Sequence, residues 1–146
     1  MPLPRKHDWE LHLHEYELSK RGLPFRWGDN DCALFVCDGI HALTGVDVGG
    51  EFRGKYSSLA SAIVTIREVT GGTSVENVAE HIASQYGLAE LPTVKYAQRG
   101  DAVLFDGAEG PALGLVYFNG THAMFVGPEG LRRVPVKSCR RAWRIG

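Results

Sequence analysis

Asp31-Cys32-Ala33-Leu34-Phe35-Val36-Cys37-Asp38-Gly39-Ile40-His41-Ala42-Leu43 is apolar nearly all round when wound as a helix. Such a helix has to be central and covered on every side. Gly45 stands where its C-terminal cap is expected. The run follows an aromatic turn, Phe25-Arg26-Trp27-Gly28, so Cys32 falls in the first helical turn. Free N–H groups and the positive end of the helix dipole favour a thiolate there. Asp31 opposes it, because a neighbouring carboxylate disfavours a second anion. Cys32 therefore reads either as a nucleophile or as a small buried hydrophobe, the reading given to Cys37.

Working outward, Trp9, Leu13 and Tyr16 recur at helical spacing between Asp8 and Lys20, and Gly22 and Pro24 stop that segment. A Gly-rich connector, Gly45 to Tyr56, follows the central helix and reads as flexible. A third helix is expected from Ser57 or Ser58 to about Val69. A fourth is expected from a capping box, Thr73-Ser74-Val75-Glu76, to Gly87. Beyond Pro92 the period changes. Strands are expected over 102–105, 112–118, 122–126, 131–136 and 142–145, with Asn119-Gly120 as a hairpin signal. Helices first and an antiparallel meander afterwards make the fold class α+β, in a single domain over 1–146.

Composition narrows the function classes. The chain has 146 residues, and its formal net charge of −1 gives no general drive toward nucleic acid or membrane. No apolar stretch is long enough to span a bilayer. The start, Met1-Pro2-Leu3-Pro4-Arg5-Lys6-His7-Asp8, lacks the apolar core of a signal peptide, so a cytoplasmic origin is expected. Cys32, Cys37 and Cys139 cannot all pair with one another, which argues against a disulfide framework. Cys32 and Cys37 lie five apart, a poor chelating spacing on a helix, so no metal and no cofactor is expected.

Gly49-Gly50-Glu51-Phe52-Arg53-Gly54-Lys55 imitates a phosphate loop. Tyr56 stands where Ser or Thr is needed, and a helix rather than a strand precedes it. The stretch reads as a connector whose Arg53, Lys55 and Tyr56 are available for contacts. The C-terminal segment is basic, with Arg132, Arg133, Lys137, Arg140, Arg141 and Arg144. It reads either as the wet face of edge strands or as a docking surface for an acidic partner or DNA, with Trp143 as an anchor.

Phe25-Arg26-Trp27-Gly28, Asp31-Cys32-Ala33-Leu34-Phe35 and Arg99-Gly100-Asp101-Ala102-Val103-Leu104-Phe105 together resemble the NlpC-type cell-wall peptidases, a papain-like family. The resemblance implies a papain-like NlpC-type fold with Cys32 at the nucleophile position. It places that family's catalytic histidine at position 112, where this chain has Ala112. His122 is expected to pair with Tyr117, roughly 16 Å along the ladder from position 112 and on the opposite face. His41 lies on the far side of the Cys32 helix. His81 is expected at the surface, and His7, His12 and His14 belong to the N-terminal segment.

The whole chain, especially Gly127-Pro128-Glu129-Gly130-Leu131 and Cys139-Arg140-Arg141-Ala142-Trp143-Arg144-Ile145-Gly146, is similar to a family of small tail proteins of long-tailed bacteriophages and gene transfer agents. That resemblance implies a structural component of the virion tail tip or baseplate, assembled in the bacterial host cytoplasm. It would be a degenerate relative of the peptidases that binds hub and other tail proteins, with no membrane and no specific nucleic acid as partner. The alternative is an active cysteine endopeptidase that cleaves peptidoglycan during entry. There Cys32 would attack the carbonyl, with the helix N-terminus at the oxyanion and a histidine supplied from elsewhere.

Overall fold

The computed structural model describes residues 3–117 and 119–146. The helices are α1 (Trp9–Lys20), α2 (Cys32–Thr44), α3 (Leu59–Thr70) and α4 (Val75–Tyr86). The strands are β1 (Ala102–Gly107), β2 (Gly110–Val116), β3 (His122–Gly127), β4 (Gly130–Pro135) and β5 (Arg141–Trp143). They form one antiparallel sheet in the order β4-β3-β2-β1-β5. The α+β expectation holds: N-terminal helices pack on a C-terminal sheet.

Helix α2 is central, as its composition requires. Leu34, Phe35, Val36, Ile40 and Leu43 are all buried. Each such side chain contributes about 1.5–3 kcal/mol when withdrawn from water. One side of α2 meets α1, and Tyr16 donates its hydroxyl to the Phe35 carbonyl at 2.5 Å. Another side meets β2 and β3. At Gly39 a Cβ would stand 2.7 Å from Leu115 and 3.2 Å from Tyr16, so the missing side chain lets helix, sheet and α1 close together. Gly45 ends the helix in the left-handed conformation, φ 81°.

The sheet has two differently covered faces. Ala102, Leu104, Leu113, Leu115, Met124, Val126 and Trp143 face α2 and join its core. Val103, Phe105, Val116, Ala123 and Ala142 point the other way and are capped by the 3-10 turns Val94–Tyr96 and Val136–Ser138. Neither turn is signalled by hydrophobic period, since each is too short to show one.

Two details differ from the sequence reading and a third agrees with it. The α4 cap is Ser74 with Asn77, not Thr73 with Glu76; Glu76 is drawn instead to Arg140 and Arg141. The 45–56 connector is tied down rather than flexible. Phe52 is buried, Gly49 packs on Cys37, and Arg53 bridges Asp38 and Asp47 at 2.7 and 2.6 Å. The β2–β3 register follows the hairpin expectation: Val116 pairs with Ala123, and the Tyr117 N–H donates to the His122 carbonyl. The expected Phe118–Thr121 pair lies outside the described residues, as do Met1 and Pro2.

The chain ends meet at Asp101, which is fully buried. Its carboxylate accepts from Arg5 and Arg144, each at 3.0 Å, and from the backbone N–H groups of Gln98 and Ile145. Arg5 also donates to the carbonyls of Arg99 and Ile145. Removing one partner of a buried ion pair strands the other charges. Asp101→Ala is expected to lower unfolding stability by about 3–5 kcal/mol in urea titration; a loss comparable to that of an exposed pair would contradict the role given to it.

Candidate functional site

Cys32 is the first residue of α2, and Asp31 is its N-cap. The Asp31 carboxylate is saturated. One oxygen accepts from the Leu34 N–H at 2.9 Å, the other from the Gly28 N–H at 2.9 Å and the Tyr56 hydroxyl at 2.7 Å. Asp31 is therefore a fastener that joins helix start, aromatic turn and connector. Gly28 has φ 80°, and a Cβ there would sit 2.1 Å from the Tyr56 carbonyl oxygen. Only glycine fits that close approach. Phe25 and Trp27 meet edge to face at 4.8 Å, and Arg26 and Asn30 pair backbone to backbone, which fixes the turn above the thiol.

The thiol sits partly accessible at the lip of this arrangement, but among dense protein surroundings. Burial pushes it up to about 11. The backbone N–H groups of Leu113, Ala33 and Cys32 favour the thiolate, and Asp31 disfavours it as its sequence position anticipated. Withdrawal from water outweighs the helix-terminal N–H groups, so Cys32 is a protonated thiol at neutral pH. Burial also pushes Cys37 up, and Cys139 up to about 11.

The residue opposite the thiol is not the one the motif pointed to. Ala112 pairs with Phe105 and packs on the far face of the sheet. Leu113, its neighbour, lies on the α2 face and brings its backbone N–H to Cys32. The reading that put Ala112 across from the thiol is thus corrected by one residue. Side chains alternate along a strand, so this step reverses the face. A leucine offers the sulfur no proton acceptor.

Three of the six histidines have partners of their own. His12 pairs with Asp8 at 3.1 Å, and His81 pairs with Glu51 at 3.0 Å beside Phe52. His122 lies at the hairpin end, against Thr121 and Asn119. His41 is exposed on α2. Cys139 belongs to the far-face cluster, so the sheet separates it from Cys32 and Cys37. Among the described residues no group of three or more His, Cys, Asp or Glu side chains is placed to hold a metal ion. No described helix is long and apolar enough to cross a membrane.

The connector residues named as a contact surface are partly spent inside the fold, Arg53 on Asp38 and Asp47, and Tyr56 on Asp31. The basic C-terminal segment is largely neutralised by the chain's own acids. Arg140 binds Glu76 and Asp106, Arg141 binds Glu76, Glu80 and Glu90, Arg144 binds Asp101, and Arg132 binds Glu129. These pairs hold Glu76 down to about 2. Trp143 is buried in the core beneath Arg141 and is not an exposed anchor.

The crystal structure of the NlpC/p60 domain of the peptidoglycan hydrolase SagA superposes on 93% of this chain and 95% of that one. The TM-score is 0.53 and the sequence identity 16%. At that identity the likeness shows the fold, which is papain-like. No curated protein matches the sequence. A family model described as a domain of unknown function, DUF6950, matches residues 4–145.

The register at β2 makes a paired prediction. Leu113→His is expected to raise iodoacetamide labelling of Cys32 at neutral pH by roughly tenfold or more, as a cation near a thiol lowers its pKa. Ala112→His should leave that rate unchanged, and the reverse pattern would refute the facing assignment. A second prediction concerns stability. The three thiols have ordinary values of 9.0 and all are raised in the folded chain. The unfolded chain therefore loses its protons first as pH climbs. The thiols' contribution is full below about pH 9 and is lost as pH rises through about 11. Urea midpoints at successive pH values should fall across that window, and a flat profile contradicts it.

Proposed function

This chain belongs to the DUF6950 family, and we propose that it is a structural, non-hydrolytic protein of the papain-like NlpC/p60 fold. Its place would be a bacteriophage tail tip or baseplate, where it binds hub and other tail proteins. The observation that carries the non-hydrolytic part is the contact between Cys32 and β2. What β2 brings to the thiol is the Leu113 backbone N–H, a donor and not a base, and burial keeps the thiol protonated. A cysteine hydrolase needs a thiolate, or a base that creates one during attack, and much of its rate depends on that base.

The binding part draws on surface chemistry. Leu11 and Leu18 stand exposed on α1, and Leu59 and Val64 on α3. Exposed apolar side chains of this size can serve as anchors of protein contacts. The tail-tip assignment rests on the resemblance carried by 127–131 and 139–146. A virion component of this kind is assembled in the host cytoplasm. The competing reading is a cysteine endopeptidase acting on peptidoglycan. It is favoured by the three N–H groups that converge on the sulfur, which is a fair oxyanion and thiolate setting. It requires a histidine supplied from the N-terminal segment or by a partner chain.

Purified protein incubated with peptidoglycan stem peptides is expected to release no more product than the Cys32→Ala variant. Cys32-dependent turnover would overturn the non-hydrolytic reading. Antibody-gold labelling of the virus that encodes the chain should mark the tail tip. Cys32→Ala particles should assemble and infect at wild-type efficiency. Absence from purified particles would overturn the tail assignment without touching the first result.

A further inference from the structure

Arg133 occupies a position that strand geometry reserves for the core. Between β3 and β4, Met124 pairs with Arg133 and Val126 with Leu131. Residues opposite one another on paired strands share a face. Met124 and Val126 lie in the core against α2, and Leu131 packs on it. The Arg133 side chain therefore points to the helix side of the sheet, on its edge strand. There its guanidinium sits 4.3 Å over the Tyr117 ring. An inward charge on an edge strand guards against edge-to-edge pairing. That role needs no empty space. Yet a cavity of about 210 Å³ opens beside Arg133, between the end of α1 and the sheet, with Met124, Leu131 and Tyr117 in its walls.

The charges lining the cavity leave one cation over. Arg21 is taken by Glu17, its Nε and Nη2 donating to Oε1 at 3.1 and 2.7 Å. Arg132 is taken by Glu129. Arg133 stands 4.0 Å from the same Glu17 oxygen, and its guanidinium makes no hydrogen bond among the described residues. Three guanidinium groups thus share two carboxylates. A cationic ligand would be repelled, and a dianion would exceed the single charge on offer. The planar fork of a guanidinium matches a carboxylate through two parallel N–H donations. The volume holds about seven non-hydrogen atoms at ~30 Å³ each. We propose that this cavity binds a small monocarboxylate with an aliphatic body, about four to six carbons in all. The carboxylate pairs with Arg133, and the body lies against Met124 and Leu131. No contact with Glu17 is needed, whose side chain is only 3% exposed. This site is separate from Cys32 and does not depend on the role proposed for it.

The test uses the full-length chain at neutral pH and fixed ionic strength. Butyrate, isovalerate and hexanoate are titrated while the Met124 methyl signal is followed by NMR. At least one acid is expected to bind saturably. Its amide, alike in shape but uncharged, is expected to bind more weakly by roughly tenfold or more. Acetate, which lacks the apolar body, should lose a similar factor. Arg133→Gln, with folding checked by circular dichroism, should also weaken the acid roughly tenfold or more. Lys137→Gln removes the same charge outside the cavity and should leave binding nearly unchanged. No saturable shift with any of the three acids would overturn the proposal. So would equal losses from the two variants, or equal binding of an acid and its amide, a result the wild-type chain alone can deliver.

Discussion

A helix with almost no polar side has to be enclosed, and the rest of this molecule is arranged around that requirement. Helix α1 covers one flank of α2, and the inner face of the sheet covers another. The contact is close because position 39 is glycine and Tyr16 satisfies the Phe35 carbonyl from the side. Enclosing α2 also decides what surrounds its first residue. Cys32 lies at the helix start, where N–H groups are free, but the same packing that stabilises α2 withdraws the thiol from water. The two influences oppose each other, and burial wins.

The buried carboxylates show how the fold spends its charge. Asp31 fastens the start of α2 to the aromatic turn and to Tyr56. Asp101 draws Arg5 and Arg144 together and so ties both chain ends to the turn before β1. Glu76, Glu80 and Glu90 take up Arg141, the arginine of the last strand. A segment that reads as a positive docking face in one dimension is thereby spent on holding β5 to α4. Position along the chain showed the cations, but the acids that hold Arg141 come from more than fifty residues away.

The candidate site turns on a single step of strand register. The motif resemblance pointed to position 112, whereas the face toward Cys32 is that of Leu113 and Leu115. An aligned motif fixes order along the chain but not which way a side chain faces. That depends on how β2 pairs with β1, where Phe105 meets Ala112 and Leu104 meets Leu113. At either position the side chain is aliphatic. Neither position offers an imidazole, so the correction changes the residue but not that fact.

Local chemistry was legible in the sequence. The helices over 9–20, 32–44, 59–70 and 75–86 follow from apolar spacing and from glycine stops. The antiparallel meander follows from the change of period and from Asn119-Gly120. Cys32 at a helix start follows from the residues before it. What only the tertiary structure decided involves partners distant in sequence: the thiol's withdrawal from water, the face presented by Leu113, the pairing of the C-terminal arginines, and the burial of Glu17. Short-range preferences set the elements because each residue carries its own backbone and side-chain bias. Burial and pairing depend on which elements meet, and no local bias encodes that.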